Sequence, residues 1–221
     1  MGQQIQLGTS RPHCIGAYLA RAAGTPKGGL VVVQEIFGVN AHIRAVADRF
    51  AEHGYTTIAP AFFDHVEMDL ELDYGADGFA RGKQLVSEVG IDRAVEDVAS
   101  AAEAIRSVGK VGVVGYCWGG TIALLAATRL GLPAVSYYGA RNVNFLDEQP
   151  KAPVQFHFGE RDASIPAAAV QRHREAYPEM EIYTYPAEHA FNRDVDGKHY
   201  DAPSAALALQ RTLAFLARHL A

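Results

Sequence analysis

Apolar and polar residues alternate along residues 3–8 and again along 13–20, a period of two that predicts two half-exposed strands. Ser10-Arg11-Pro12 between them predicts the turn of an antiparallel pair. From residue 29 the pattern changes. Gly29-Leu30-Val31-Val32-Val33-Gln34 is apolar on both faces, as a strand covered on both sides in a parallel sheet requires. Comparable runs occupy 55–59, 111–115, 134–138, 154–158 and 182–185, most of them separated by a segment of helical period. The clearest such segment places Ile91, Ala94, Val95, Val98, Ala99, Ala102 and Ile105 on one stripe, and others are predicted over about 41–53, 119–131, 166–176 and 203–219. This alternation predicts an α/β protein with a mostly parallel, twisted sheet and helices on both faces. Residues 62–82, acidic and rich in Gly, read as a loop over the sheet.

Composition narrows the function classes. A chain of 221 residues, 49% hydrophobic and without repeat, low-complexity tract or linker, is expected to form one domain over 1–221. Twenty Lys plus Arg against twenty-five Asp plus Glu, with no basic run, argues against a nucleic-acid partner. The first residues lack a basic then apolar leader, and no stretch approaches the roughly 18 apolar residues of a membrane span. The two cysteines, Cys14 and Cys117, lie far apart in unlike contexts, which suggests neither a disulfide framework nor a zinc site and favours a reducing cytoplasm.

One of those cysteines sits in Gly115-Tyr116-Cys117-Trp118-Gly119-Gly120, where a predicted strand ends and a helix begins. G-x-C-x-G in that context is the thiol form of the nucleophile elbow, whose tight turn needs glycines on both sides of the nucleophile. The positive end of the following helix favours a thiolate. In an α/β-hydrolase fold the acid and then the histidine follow the nucleophile, each after a later strand. Asp162 follows the strand at 154–158, and His189 follows the strand at 182–185. Glu160 satisfies the spacing as well, though Asp162 is preferred; of the other eight histidines, which fit less well, His157 falls within a strand and His53, His173 and His219 on or at the ends of helices, where ordinary surface or core roles suffice. The expected triad is Cys117, Asp162 and His189.

These residues belong to a longer pattern. Gln34-Glu35-Ile36-Phe37-Gly38-Val39-Asn40, the elbow, Tyr137-Tyr138-Gly139, the loop from Gly159 to Pro166 and His189-Ala190-Phe191-Asn192-Arg193 together make the chain resemble the dienelactone hydrolases, also called carboxymethylenebutenolidases, over most of its length. The resemblance implies an α/β-hydrolase fold and cofactor-free hydrolysis of an ester or lactone, most naturally one that carries a carboxylate, through a Cys117 thioester. It implies that Glu35 takes the thiol proton when substrate binds, and that the backbone N–H groups of Ile36 and Trp118 form the oxyanion hole. Arg193 and Arg81 are implied as contacts for the substrate carboxylate, with Lys83 an alternative to Arg81. Phe37 and Tyr138 either line the cleft or pack in the core. Trp118 replaces the Leu of some family members, which bears on pocket width. The expected partner is a small molecule, for a chain acting as a monomer or weak oligomer. Asn192-Arg193-Asp194-Val195-Asp196-Gly197 resembles the start of a calcium loop, but its twelfth position is Pro203 where a bidentate Glu is required, so no metal is expected.

Overall fold

The computed structural model describes residues 2–10 and 14–220; Arg11 and Pro12 of the expected turn, and His13 at the head of the second expected strand, lie outside the described residues. Backbone contacts divide the chain into two compact units, one running to Val113 and taking in Leu220, the other Val114–His219.

In the first unit β1 (Gln3–Gly8) and β2 (Cys14–Ala20) pair antiparallel, from Gln3 opposite Leu19 to Gly8 opposite Cys14. β2 continues antiparallel onto β4 (Thr56–Pro60), which runs parallel to β3 (Gly29–Val33). Burial follows the two sequence patterns: β1 is mostly exposed, whereas every residue of β3 and β4 is buried. Leu30, Val31, Val32 and Val33 are each 0% exposed, and burying a side chain of this size stabilises the fold by about 1.5–3 kcal/mol.

Three helices accompany these strands. α1 (Ala41–Glu52) is capped by Asn40, whose side chain accepts from Ile43 N at 3.2 Å, and it buries Ile43, Val46, Ala47 and Phe50. α3 (Ile91–Ile105) buries Ala94, Val95, Val98, Ala102 and Ile105 of the expected stripe together with Asp97, while Ile91 and Ala99 are half-buried. That carboxylate is matched by His65 Nε2 at 2.8 Å; burial nevertheless holds its proton affinity above the usual range.

The segment expected to be a loop over 62–82 is only partly one. A 3₁₀ turn spans Phe62–His65, and α2 (Ala76–Val89) takes up the second part, so Arg81 stands on a helix. Gly78 and Gly82 disguised that helix. A Cβ on Gly78 would lie 2.2 Å from the Asp73 carbonyl oxygen, and one on Gly82 would lie 2.0 Å from that of Ile36. Both glycines are there for close approach of backbones, despite their poor helix propensity.

β5 (Val111–Tyr116) spans the division between the units. Within the second unit α4 (Trp118–Leu125) ends in a π turn, Ala126–Leu130, and Gly131 closes it in the left-handed conformation at φ 70°. β6 (Ala134–Tyr137), β7 (Val154–Gly159) and β8 (Glu181–Tyr185) follow in parallel register, with α5 (Ala167–Ala176) and α6 (Ala202–Leu220), all but its last residue, completing the unit. His157, in the middle of β7, is fully buried and bonded through Nδ1 to Tyr185 Oη at 2.7 Å and through Nε2 to Gln155 Oε1 at 2.9 Å. Burial, with Arg211 adding to it, lowers its pKa to about 3, so it is a neutral core histidine at pH 7. Among the described residues no helix is long and apolar enough to cross a membrane.

Candidate active site

The second unit brings three of the expected residues together. Cys117 follows β5 directly and caps α4 with φ 55° and ψ −116°, a left-handed conformation that costs roughly 1–3 kcal/mol and is held by its surroundings. Its N–H donates to the Tyr137 carbonyl at 3.0 Å and its carbonyl accepts from Gly120 N at 2.9 Å. A Cβ on Gly115 would sit 1.8 Å from the Gly119 carbonyl oxygen, and one on Gly120 would sit 2.6 Å from that of Tyr137. No side-chain rotation relieves a clash of backbone with Cβ. Gly115→Ala is therefore expected to destabilise the protein by about 3 kcal/mol or more, read from urea denaturation, whereas a change under about 1 kcal/mol would show that the turn has room.

The acid and the base arrive on loops that are laced to each other. β7 ends at Gly159, where a Cβ would meet the carbonyl oxygens of Ala187 at 2.5 Å and Glu188 at 2.7 Å. Only glycine lets the chain entering His189 pass this close. Glu160 N donates to the Tyr185 carbonyl and Arg161 N to that of Ala187, at 2.8 and 3.0 Å. Asp162 is buried, its Oδ1 accepting from Ser164 N at 2.8 Å and its Oδ2 lying 2.6 Å from His189 Nδ1. Glu160, the alternative, is exposed and bonds Thr184 instead. Ser164, two residues past Asp162, has the spacing of an Asx turn and was the available signal for this anchor.

His189 also bonds Cys117. Burial of the ring opposes its protonation, but the charge at the Cys117 sulfur and the hydrogen bonds to Asp162 and Cys117 outweigh that effect, and its pKa is pushed up to about 10. The imidazolium thus persists through neutral pH while the sulfur is charged. Behind the ring stands Tyr138, at φ 38°, with ring centroids 4.8 Å apart and planes at 57°. Tyr138 is fully buried, and its hydroxyl bonds Asn192 Oδ1, three residues beyond His189. Its ring packs against His189 and Phe191.

Other expected site residues lie in the first unit. Glu35, 2% exposed, follows β3, and its carbonyl accepts from Gln34 Nε2 at 3.2 Å. Ile36 is buried and, through its carbonyl, abuts Gly82 of α2. Phe37 is buried edge-on against Tyr74, ring centroids 4.7 Å apart. Arg81 pairs with Glu67 at 2.9 Å and lies 3.9 Å from Glu88, while Lys83 reaches over the Phe79 ring. Trp118, in the second unit, is buried at the first position of α4.

Arg193, also in the second unit, is buried and pairs with Asp196 at 2.6 Å. Burial opposes ionisation of Asp196, but the Arg193 guanidinium and the Lys198 amide hold its carboxyl below the usual range. Within the calcium-like segment the Asn192 side-chain oxygen meets Tyr138, and those of Asp196 meet Arg193 and Lys198. Among the described residues no group of three or more His, Cys, Asp or Glu is placed to hold a metal ion.

The sequence profile of the dienelactone hydrolase family matches residues 15–220. Carboxymethylenebutenolidase from Pseudomonas putida is 34% identical over 218 residues, covering 93% of this chain and 92% of that one. A crystal structure of a Klebsiella pneumoniae protein assigned to the dienelactone hydrolases superposes with a TM-score of 0.86 at 32% identity, covering 99% of both chains. A dienelactone hydrolase-like promiscuous phosphotriesterase from metagenomic libraries shares the fold, with a TM-score of 0.79 at 17% identity over 100% of this chain and 99% of that one. The chain belongs to the dienelactone hydrolase family and is a hydrolase with the α/β-hydrolase fold.

Proposed function

We propose that the protein hydrolyses a small ester or lactone, carboxylate-bearing in the first instance, through an acyl-thioester on Cys117. The observation that carries this reading is the line from Asp162 through His189 to Cys117, with Asp162 2.6 Å from Nδ1 and the sulfur engaged by the same imidazole.

In this mechanism Glu35 accepts the thiol proton on substrate binding and Cys117 thiolate attacks the carbonyl carbon. The oxyanion is stabilised by the N–H groups of Trp118 and Ile36. The tetrahedral adduct collapses to the thioester as the imidazolium of His189 gives its proton to the departing alkoxide. Once the sulfur is acylated it carries no charge, so one of the influences that held the proton on His189 is gone. The ring is then a neutral base suited to deprotonating water, whose attack on the thioester releases the acid and leaves thiolate beside imidazolium; Glu35 then returns its proton to the sulfur, which closes the cycle. Asp162 holds Nδ1–H throughout. Arg193 and Arg81 are the proposed contacts for a substrate carboxylate, since a guanidinium donates two parallel bonds to such a group.

Rapid acid quench of the enzyme with a 4-nitrophenyl ester, followed by peptide mass spectrometry, is expected to find the acyl mass on the peptide containing Cys117 together with a burst of nitrophenol. A burst with the acyl group on any other residue would refute the mechanism.

A further inference from the structure

The loop that leaves His189 folds back on itself around one carboxylate. Asp196 Oδ2 lies 2.6 Å from Arg193 Nη2 and 3.9 Å from His199 Nε2, and Oδ1 accepts from the backbone N–H of Lys198 at 3.1 Å. The turn is closed from both directions, because Asp196 N donates to the Arg193 carbonyl at 3.1 Å and its own carbonyl accepts from His199 N and Tyr200 N at 3.2 and 3.1 Å. His199 in turn reaches Glu188 Oε2 through Nδ1 at 3.2 Å. The Arg193 and Asp196 side chains are 9% and 17% exposed, so this pair is much less screened than an open surface pair. Asp196 is thus a fixed carboxylate already resting on the guanidinium, in the place where an anionic substrate is expected to bind.

We propose that Asp196 is a specificity-determining residue: a built-in counter-charge on Arg193 with which a substrate carboxylate must share or compete, so that the site is less selective for anionic acyl groups and more open to neutral esters and lactones. This rests on the reading of Arg193 as the carboxylate contact. The negative charge beside the guanidinium repels an incoming anion and leaves a neutral acyl group unaffected, so the effect falls on KM for the charged substrate. Asp196 touches neither the sulfur nor His189, and its influence passes through Arg193.

The test compares two esters of similar size, 4-nitrophenyl hydrogen succinate and 4-nitrophenyl butyrate, on the full-length enzyme and the variants Asp196→Asn, Asp196→Ala and Arg193→Gln. Asn keeps an acceptor for Lys198 N and removes only the charge, which protects the loop. Asp196→Asn is expected to raise the ratio of kcat/KM for the anionic over the neutral ester about fivefold, the scale of a partly screened ion pair, through a lower KM for succinate with kcat retained. Asp196→Ala is expected to shift the ratio in the same direction. An unchanged ratio in both Asp196 variants, with Arg193→Gln lowering it, would overturn the proposal and leave the Arg193 reading intact. A ratio that Arg193→Gln also leaves unchanged would overturn that reading, and the proposal with it. Equal loss on both esters in the Asp196 variants would make Asp196 a brace for the loop and refute a role in specificity.

Discussion

Cys117→Ala and His189→Ala are each expected to lower kcat by about four orders of magnitude, and the double variant by no more than either alone. Residues that act as one unit lose nearly everything with the first deletion, so their effects do not multiply. The geometry of His189 explains the coupling here: its proton is held by the charge at Cys117 and by the hydrogen bond to Asp162, 2.6 Å away. Without the sulfur the imidazolium loses one source of stabilisation, and without the imidazole the proton has no route to the leaving group. The first point can be measured separately. In Cys117→Ala the ring of His189, followed by NMR, is expected to titrate below the value of about 10 it has beside the charged sulfur. The sign is that of a raised cationic group: the interaction is present in full below the unperturbed histidine pKa of about 6.5 and is lost as pH rises through about 10. A double variant whose loss equals the product of the two single losses would dismantle the unit.

The second large effect is expected at Asp162. Asp162→Asn should reduce kcat/KM by roughly 10³- to 10⁴-fold with the fold retained. The reason lies in the neighbour. Asp162 Oδ1 accepts from Ser164 N at 2.8 Å, so Asn at this position will turn its carbonyl oxygen to that N–H and present its amide N–H₂ to His189 Nδ1. A donor facing Nδ1 favours the tautomer with the proton on Nε2, the wrong one for taking a proton from water. Glu160→Gln, on the exposed side of the same loop, should stay within about twofold. Steady-state kinetics on both variants decides the matter, and an Asp162→Asn enzyme within tenfold of the starting activity would rule the carboxylate out.

Much of this was legible in the chain because burial on both faces leaves a continuous apolar run. β3, β4, β5, β6 and β7 are buried along their whole length, and each was visible as such a run. Asp162 and His189 could be picked out because the nucleophile elbow fixes which strand ends to search. What escaped the sequence depends on through-space approach. α2 was hidden by Gly78 and Gly82, whose reason lies in the carbonyls of Asp73 and Ile36 and not in helical propensity. Asp162 was already preferred to Glu160 from the sequence, and the direction of each side chain agrees with that preference. That Asp196 folds onto Arg193 was not legible either, because residues three apart in a loop have no fixed separation.

The contact between Gly82 and Ile36 has a mechanical meaning. Helix and the turn that follows β3 meet there backbone to backbone, with a clearance smaller than one methyl group and no side chain between them to deform. A long flexible side chain at such a junction would act as a spring, taking up movement of one part before the other felt it. Here there is none, so the helix that carries Arg81 is seated directly on residue 36, and one backbone contact sets the spacing between the proposed carboxylate contact and the proposed oxyanion amide.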